Sequence, residues 1–500
     1  LERYEDKKRY RTIGHTKATK SKLKQLKILF DSFQIKNMEI ELTYVSNAQE
    51  IMGIKVLSQE KLVDTMPWTI KEDLNLFRSI TTYSPYPDKK NAVIMGRSTW
   101  ESMSSPLKDR INVVISSKST TADYTAKTYH EALTWCQYQN LYKIFVIGGA
   151  RLWKEAMEYG TVTRIYQTDT STPISENAVE VSFLPEGICP DNLSKKYNLI
   201  NTVTKNNCTF NTWEIKTLPF ENQFLSLLKK IYTQGENVEG RNGGVRSVKG
   251  SFLKFDLQEG FPILTVKKTF FRGIVEELLW MIRGDTNVKN LQAKNIHIWD
   301  GNSSRAYLDS RGLTDYEEGE TGPIYGFQMR FFGAEYKGPN DDYTGLGIDQ
   351  LKNCIHLLKT EPTSRRIIIN LWNVEDLDRM ALVPCHFCYQ FTVSNGRLNC
   401  HLSQRSWDIL LGWNPSTAAL LTHILAKECG FEVGEVSIHI GDVHIYHTHL
   451  HSINEILSRV PYKLPKLVIK DFTSWEELDA NQFSLENYVY HESIKLPMSA

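Results

Sequence analysis

Cys385 lies in the run Ala381-Leu-Val-Pro-Cys-His-Phe-Cys-Tyr-Gln-Phe391. Pro384 before it and the apolar aromatic stretch after it form the pattern of a loop entering a strand. A thiol alone carries no function, because buried free cysteine is common in protein cores. Cys388 and Cys400 do not turn it into a metal site, since no second pair follows at zinc spacing. What singles it out is the set of groups downstream: Gln404-Arg405-Ser406, Asp408, Asn414, and Gly441-Asp442-Val-His444-Ile-Tyr446. Guanidinium, amide and hydroxyl groups after one thiol are ligands for phosphate, base and sugar, and suit a thiolate that modifies a nucleotide.

Two further positions could hold chemically active carboxylates. In Gly273-Ile-Val-Glu-Glu-Leu-Leu-Trp280, Glu277 falls three residues after Ile274 and four before Met281, on the apolar face of a helix, while Glu276 points about 100° away. Burial there would raise its pKa and suit it to moving protons, with a buried salt bridge as the structural alternative. In Met66-Pro-Trp-Thr-Ile-Lys-Glu-Asp-Leu-Asn-Leu-Phe77, Thr69 and Glu72 predict a capping box that starts a helix. Ile70, Leu74 and Phe77 then form its apolar face, and Asp73 shares that face.

The surrounding elements are those of an αβ protein. Three buried-strand runs end in small polar loops: Asn91–Met95 into Gly96-Arg97-Ser98-Thr99, Ile111–Ile115 into Ser116-Ser117, and Lys143–Ile147 into Gly148-Gly149. Each predicts strand, loop and helix, and three such loops with Arg97 and Lys118 nearby favour a dinucleotide, although the usual G-x-G-x-x-G fingerprint is absent. Later, Arg241 opens a Gly-rich loop suited to phosphate. Arg365 and Arg366 open a buried-strand run; successive strand side chains point to opposite faces, so the two cannot serve one site by the same route, and one resolution is a site shared across a subunit boundary.

Five hundred residues, a net charge of +1, 41% hydrophobic and 23% charged residues describe an ordinary globular chain of two to four domains. Near-neutral charge excludes a global electrostatic case for nucleic acid or membrane binding, and no apolar run reaches the ~18 residues of a spanning helix. Eight cysteines without regular spacing predict reduced thiols and a cytoplasmic location. Residues 7 to 30 carry nine Lys or Arg and no acidic residue, a basic extension whose alternatives are a solvated tail, an organelle-targeting remnant or a nucleic-acid patch. Residue 1 is not Met, so a start upstream is expected.

The run Met66-Pro67-Trp68 with Asp73, Phe77, Met95-Gly96-Arg97-Ser98-Thr99-Trp100, Ser116-Ser117, Ile147-Gly148-Gly149 and Thr168 resembles dihydrofolate reductase over residues 38–216. That resemblance implies that Asp73 and Thr168 anchor the pterin, Phe77 stacks on it, and Arg110 holds the glutamate carboxylate. Gly96, Arg97, Ser98, Thr99, Ser116, Ser117, Gly148 and Gly149 would bind NADPH. The first strand departs from the family in carrying Glu41, Thr43 and Tyr44, and the covering loop is lengthened from Val56 to Thr65.

Residues 220–500, with Trp299, Tyr325, the Arg365-Arg366 pair, Pro384-Cys385-His386 and Gln404-Arg405-Ser406, are similar to thymidylate synthase. The likeness implies that Cys385 attacks dUMP and that Arg241 and Arg405, with Arg365 and Arg366 of a dimer mate, bind its phosphate. Gln404 and Ser406 would line the dUMP site, Asn414 would meet the uracil edge, and His444 and Tyr446 the ribose. Glu277 and Tyr325 would remove the C5 proton, while Trp299 and Asp408 would hold 5,10-methylenetetrahydrofolate. One departure is local: a single residue, Trp413, separates Gly412 from Asn414, where synthases have Leu-Pro-Phe.

The expected fold is therefore an α/β N-terminal domain with a mixed, mostly parallel sheet, and an α+β C-terminal domain. A basic extension over 1–37 precedes them, and residues 217–219 form the joint. The expected function is bifunctional thymidylate synthesis in a homodimer without metal. The alternative is an active synthase on a degenerate, scaffold-like reductase domain.

Overall fold

In the computed structural model, residues 39–496 are described, apart from 48, 50, 59–60, 66–68, 174–177 and 241–242. The basic extension, Met66-Pro67-Trp68 and Arg241 lie outside the described residues.

The first region is built on an eight-stranded sheet. From one edge its order is Tyr197–Lys205, Cys208–Ile215, Val162–Thr170, Glu39–Asn47, Leu141–Gly148, Lys90–Gly96, Arg110–Ile115 and Tyr124–Ala126. The strands from Val162–Thr170 to Tyr124–Ala126 pair in parallel, and Cys208–Ile215 and Tyr197–Lys205 add an antiparallel edge. Parallel strands covered on both faces need continuous apolar runs, and Lys90–Gly96 has five consecutive buried residues. Helices Tyr129–Gln137 and Ala150–Tyr159 pack their buried residues on the face of Leu42, Ile94 and Val113. Ile80 and Trp100 cover the opposite face at Val93, Met95 and Phe145.

Several local expectations are corrected. Helix Lys71–Thr82 begins without a side-chain cap; Glu72 instead accepts a hydrogen bond from Asn206 Nδ2 at 2.6 Å. Leu74 is 48% exposed while Thr81 is buried, so the inward face follows Asp73, Phe77 and Thr81, one step round the helix from the predicted stripe. Strand Arg110–Ile115 does not lead straight into a helix: the short strand Tyr124–Ala126 intervenes before Tyr129–Gln137. The lengthened covering segment is not an open loop either. Ile51–Ser58 and Lys61–Thr65 form a hairpin that pairs with Ala178–Phe183. The polar first strand is central: Glu41 is 1% exposed, with Lys143 Nζ at 2.6 Å and Arg164 Nη1 at 3.7 Å, and Tyr44 donates to Ile188 O at 2.8 Å.

The second region carries a six-stranded sheet in the order Glu236–Gly240, Gly243–Asp256, Glu432–Tyr446, Arg397–Asp408, His386–Ser394 and Ile368–Asn370. Arg397–Asp408 and Glu432–Tyr446 are parallel neighbours, so the chain between them must cross over. Helix Asn414–Cys429, buried along most of its length, makes that crossing. Helix Phe271–Ile282 packs against Tyr325–Phe331, and a Cβ at Gly326 would meet Met281 O at 2.7 Å; only glycine permits that approach.

Thr217-Leu-Pro219 leads directly into helix Phe220–Gln234. The two regions pack on one another: the His130 ring stacks on Tyr462 at 4.0 Å, and Val460 joins the core of the first sheet. Lys196 pairs with Glu259 at 3.1 Å and Lys463 with Glu158 at 3.6 Å. Among the described residues no helix is long and apolar enough to cross a membrane, and the eight cysteines are free thiols.

Candidate active sites

In the second region the strand begins at His386, one residue after Cys385. The Cys385 N–H donates to the Tyr325 hydroxyl oxygen at 2.8 Å. Arg405, on the neighbouring strand, is locked by donating to Pro384 O at 2.9 Å and Val383 O at 2.8 Å, which leaves its Nη2 3.7 Å from Cys385 Sγ. Burial pushes the thiol pKa up, and the Arg405 charge opposes it. The guanidinium is thus the feature that makes a thiolate attainable in an enclosed position.

Glu277 lies behind Tyr325. Its Oε1 accepts the Trp299 indole N–H at 2.8 Å, and its Oε2 accepts that of Trp413 at 2.9 Å. Burial raises its pKa and the two indoles hold it back. Trp299 meets the Tyr325 ring edge-on at 6.0 Å, and burial keeps the Tyr325 hydroxyl well above its usual pKa of 10. Glu276 does not turn to solvent: it is buried and paired with Lys294 at 2.7 Å.

Asp408 and His444 are register partners on adjacent strands. Asp408 accepts from Leu410 N at 3.0 Å, which bends the chain after the strand. His444 Nδ1 is 3.0 Å from Asp442 Oδ1, and Asp442 is also bonded by Ser247 at 3.0 Å and by Lys249. These partners hold the Asp442 carboxyl below its usual range against the opposing effect of burial. Nδ1 is therefore the nitrogen engaged by the protein, and Nε2 faces away from that bond. Tyr446 packs edge-on against His444 at 5.4 Å. Gln404 is buried, donates to Ser406 O at 2.8 Å, and leaves Oε1 without a partner among the described residues. Asn414 is the first residue of its helix, directly after Trp413.

Arg365 and Arg366 are not brought to this group. Both are exposed in a turn, and the strand after them starts only at Ile368 and runs three residues along the sheet edge. The expectation that they open a buried strand is corrected, because a turn removes the strand alternation on which it rested.

In the first region Asp73 is hydrogen-bonded to Thr168, and burial raises its pKa against that bond. Arg110 opens its strand with Nη1 donating to Thr81 Oγ1 at 2.7 Å, and its guanidinium lies 5.6 Å from the Phe77 ring centroid. Asp73, Phe77, Thr81, Arg110 and Thr168 thus form one continuous wall. The Gly96, Ser116 and Gly148 loops close adjacent parallel strands at their C-terminal ends, where open α/β sheets bind ligands. A Cβ at Gly148 would meet Trp153 at 3.4 Å and Thr99 Oγ1 at 3.5 Å, and one at Gly149 would meet Thr99 Oγ1 at 3.7 Å. Bare backbone beside Thr99 gives a pyrophosphate room to approach, and Arg97, paired with Glu101 at 3.4 Å, remains half-exposed. Ser116 is buried with its Oγ accepting from Lys118 N at 3.0 Å, and Ser117 is exposed. These residues fit a phosphorylated dinucleotide.

The family model described as Thymidylate synthase matches residues 222–500, and that described as Dihydrofolate reductase matches residues 55–187. The chain is 40% identical to a bifunctional dihydrofolate reductase-thymidylate synthase of Paramecium tetraurelia, over 87% of this chain and 95% of that protein. Proteins of the same description from Acanthamoeba polyphaga mimivirus and Zea mays are 36% and 37% identical, covering 91% and 87% of this chain and 98% and 93% of their own lengths. The chain belongs to the bifunctional dihydrofolate reductase-thymidylate synthase family. Membership of this family brings folate substrates and general NADPH use. It also accounts for two unrelated sheets carrying separate polar sites on one chain. Pattern reading missed two contributors. Thr81 was hidden as one threonine in a Thr-Thr pair. Trp413 was visible only as the odd residue of a shortened segment.

Proposed function

We propose that Cys385 and Asp73 head two active sites that perform consecutive steps. The chain is an enzyme with both thymidylate synthase and dihydrofolate reductase activity, and no observation favours a degenerate reductase. In the synthase, the Cys385 thiolate adds to C6 of dUMP, C5 bonds to the methylene of 5,10-methylenetetrahydrofolate as the methylene's bond to N10 breaks, and loss of the C5 proton toward the Glu277 and Tyr325 side then breaks its bond to N5. Hydride from the tetrahydrofolate ring turns that methylene into methyl. The Cys385 to C6 bond then breaks, leaving dTMP and dihydrofolate. Arg405 with Arg241 holds the phosphate, Gln404, Ser406 and Asn414 face the nucleotide, and His444 Nε2 and Tyr446 meet the ribose. Trp299 and Asp408 position the folate.

In the reductase, Asp73 and Thr168 hold the pterin, Phe77 stacks on it and Arg110 binds the tail carboxylate. Gly96, Arg97, Ser98, Thr99, Ser116, Ser117, Gly148 and Gly149 would hold NADPH, which supplies a hydride when bound. The reading divides the chain into an extension over 1–37, a reductase over 38–216, a joint at 217–219 and a synthase over 220–500.

The observation that carries this reading is the thiol beside Arg405 and Tyr325, with Glu277 behind it. Dimerisation is supported by Phe252 and Ile368, 57% and 42% exposed on the six-stranded sheet, and by the exposed Arg365 and Arg366, which a partner's site could use. Purified chain given dUMP, 5,10-methylenetetrahydrofolate and NADPH should form dTMP and consume NADPH in step with it. Formation of dTMP without NADPH consumption would remove the reductase half.

A further inference from the structure

We infer that Trp413 is a positioning residue of the synthase site: its indole N–H and that of Trp299 clamp the two oxygens of Glu277 and hold this carboxylate as the proton acceptor. The inference rests on the synthase reading above and deepens it.

An indole N–H only donates. Trp299 takes Oε1 at 2.8 Å and Trp413 takes Oε2 at 2.9 Å, so both oxygens of one enclosed carboxylate are met by groups that favour its ionised form. Burial works the other way and is the larger effect. The two donors are what limits it.

The mount that delivers Trp413 is built for the purpose. After Asp408 the chain turns at once: Gly412 N donates to Asp408 O at 2.8 Å, and the Trp407 indole donates to Gly412 O at 2.8 Å. A Cβ on Gly412 would meet Trp407 Cδ1 at 2.8 Å and Asp408 O at 2.9 Å, so this position admits only glycine without a shift. Trp413 then precedes helix Asn414–Cys429. A segment two residues shorter than the family's thus brings an indole to the carboxylate from a tightly fixed turn, and ties Glu277 to the residue next to Asn414.

The titratable groups facing Glu277 are Tyr325 and Tyr389, with Cys385 and Arg405 beyond Tyr325. Burial keeps both phenols neutral through the ordinary assay range, and it pushes the Cys385 thiol up while Arg405 and Tyr325 oppose it. Cys385 and Glu277 must both be ionised, so the acid limb carries both groups, and its displacement between wild-type and variant chains, with the Cys385 surroundings unchanged, is what reports Glu277.

The test uses the full chain as Trp413→Phe and Trp413→Leu, with Trp299→Phe as the companion that removes the other donor. The measurement is tritium release from C5-labelled dUMP against pH, with the melting temperature of each variant taken alongside. Loss of one donor should move the acid limb up by about one pH unit in all three, while the two Trp413 variants retain the rate on the plateau above it. An unmoved limb in a folded Trp413→Phe or Trp413→Leu chain, whether or not the plateau falls, overturns the inference and leaves Trp413 as packing. Wild-type chain that releases no tritium and forms no dTMP overturns the synthase reading instead.

Discussion

Asp73 and Glu277 are both carboxylates carried inward on a helix, one in each half of the chain, and their surroundings differ in kind. Asp73 stands on a helix only lightly covered by protein, with Leu74 exposed beside it, and one hydroxyl, that of Thr168, bonded to it. Glu277 stands on a helix buried on nearly every side, and both of its oxygens are taken by indole N–H groups. Glu221 completes the comparison. It is more deeply buried than Glu277, and its oxygens accept Thr265 N at 2.6 Å, Thr265 Oγ1 at 2.6 Å and Val266 N at 2.7 Å, which knits helix to loop and leaves nothing for a substrate. Burial alone does not mark a chemical carboxylate; the partners and the access left to a ligand do.

Each contrast can be broken by substitution. Glu277→Gln keeps the shape and removes the acceptor, and should lower dTMP turnover by on the order of 10³ while NADPH-dependent dihydrofolate reduction continues. Asp73→Asn should reverse that pattern, lowering reductase turnover by about 10²-fold with dTMP formation retained in excess folate. Stopped assays of the two products on one preparation check both.

Glu221 is the structural control. Its pKa is raised by burial from 4.5 to about 7, so the folded state holds a proton that the unfolded state releases. Its contribution favours folding below the unfolded value and is lost as pH rises from about 4.5 toward 7. That loss is on the order of 3 kcal/mol at most. Glu221→Gln should flatten this part of the melting-temperature profile and leave both active-site pH limbs in place. The smallest effect is expected at Thr168→Val, which removes the Asp73 bond and should cost the reductase roughly 1 kcal/mol, or about fivefold, in folate affinity.

The sequence displays the site residues more clearly than the contacts that make them work. Cys385 at a loop-to-strand entry and Glu277 on an apolar helix face follow from local pattern, and the structure has the strand starting at His386 and Glu277 turned toward Trp299. Glu41 shows the opposite. On the sequence it reads as a polar flaw in a first strand, yet its partners Lys143 and Arg164 come from neighbouring strands about a hundred residues away, and no local rule can supply them. The hairpin Ile51–Thr65 is another long-range outcome, because its third strand, Ala178–Phe183, is remote in sequence. The expectation that Arg365 and Arg366 open the strand departs from the structure for a local reason: the isoleucines after them set a strand pattern that does not extend back to the turn in which both arginines lie.

The central claim is that one chain carries two separable sites. Cys385→Ser in the full chain tests it most directly, with dTMP formation and NADPH-dependent dihydrofolate reduction measured on the same sample. The account predicts that dTMP formation is abolished and reduction continues at the wild-type rate. Persistent dTMP formation, or loss of both activities in a folded protein, would contradict it.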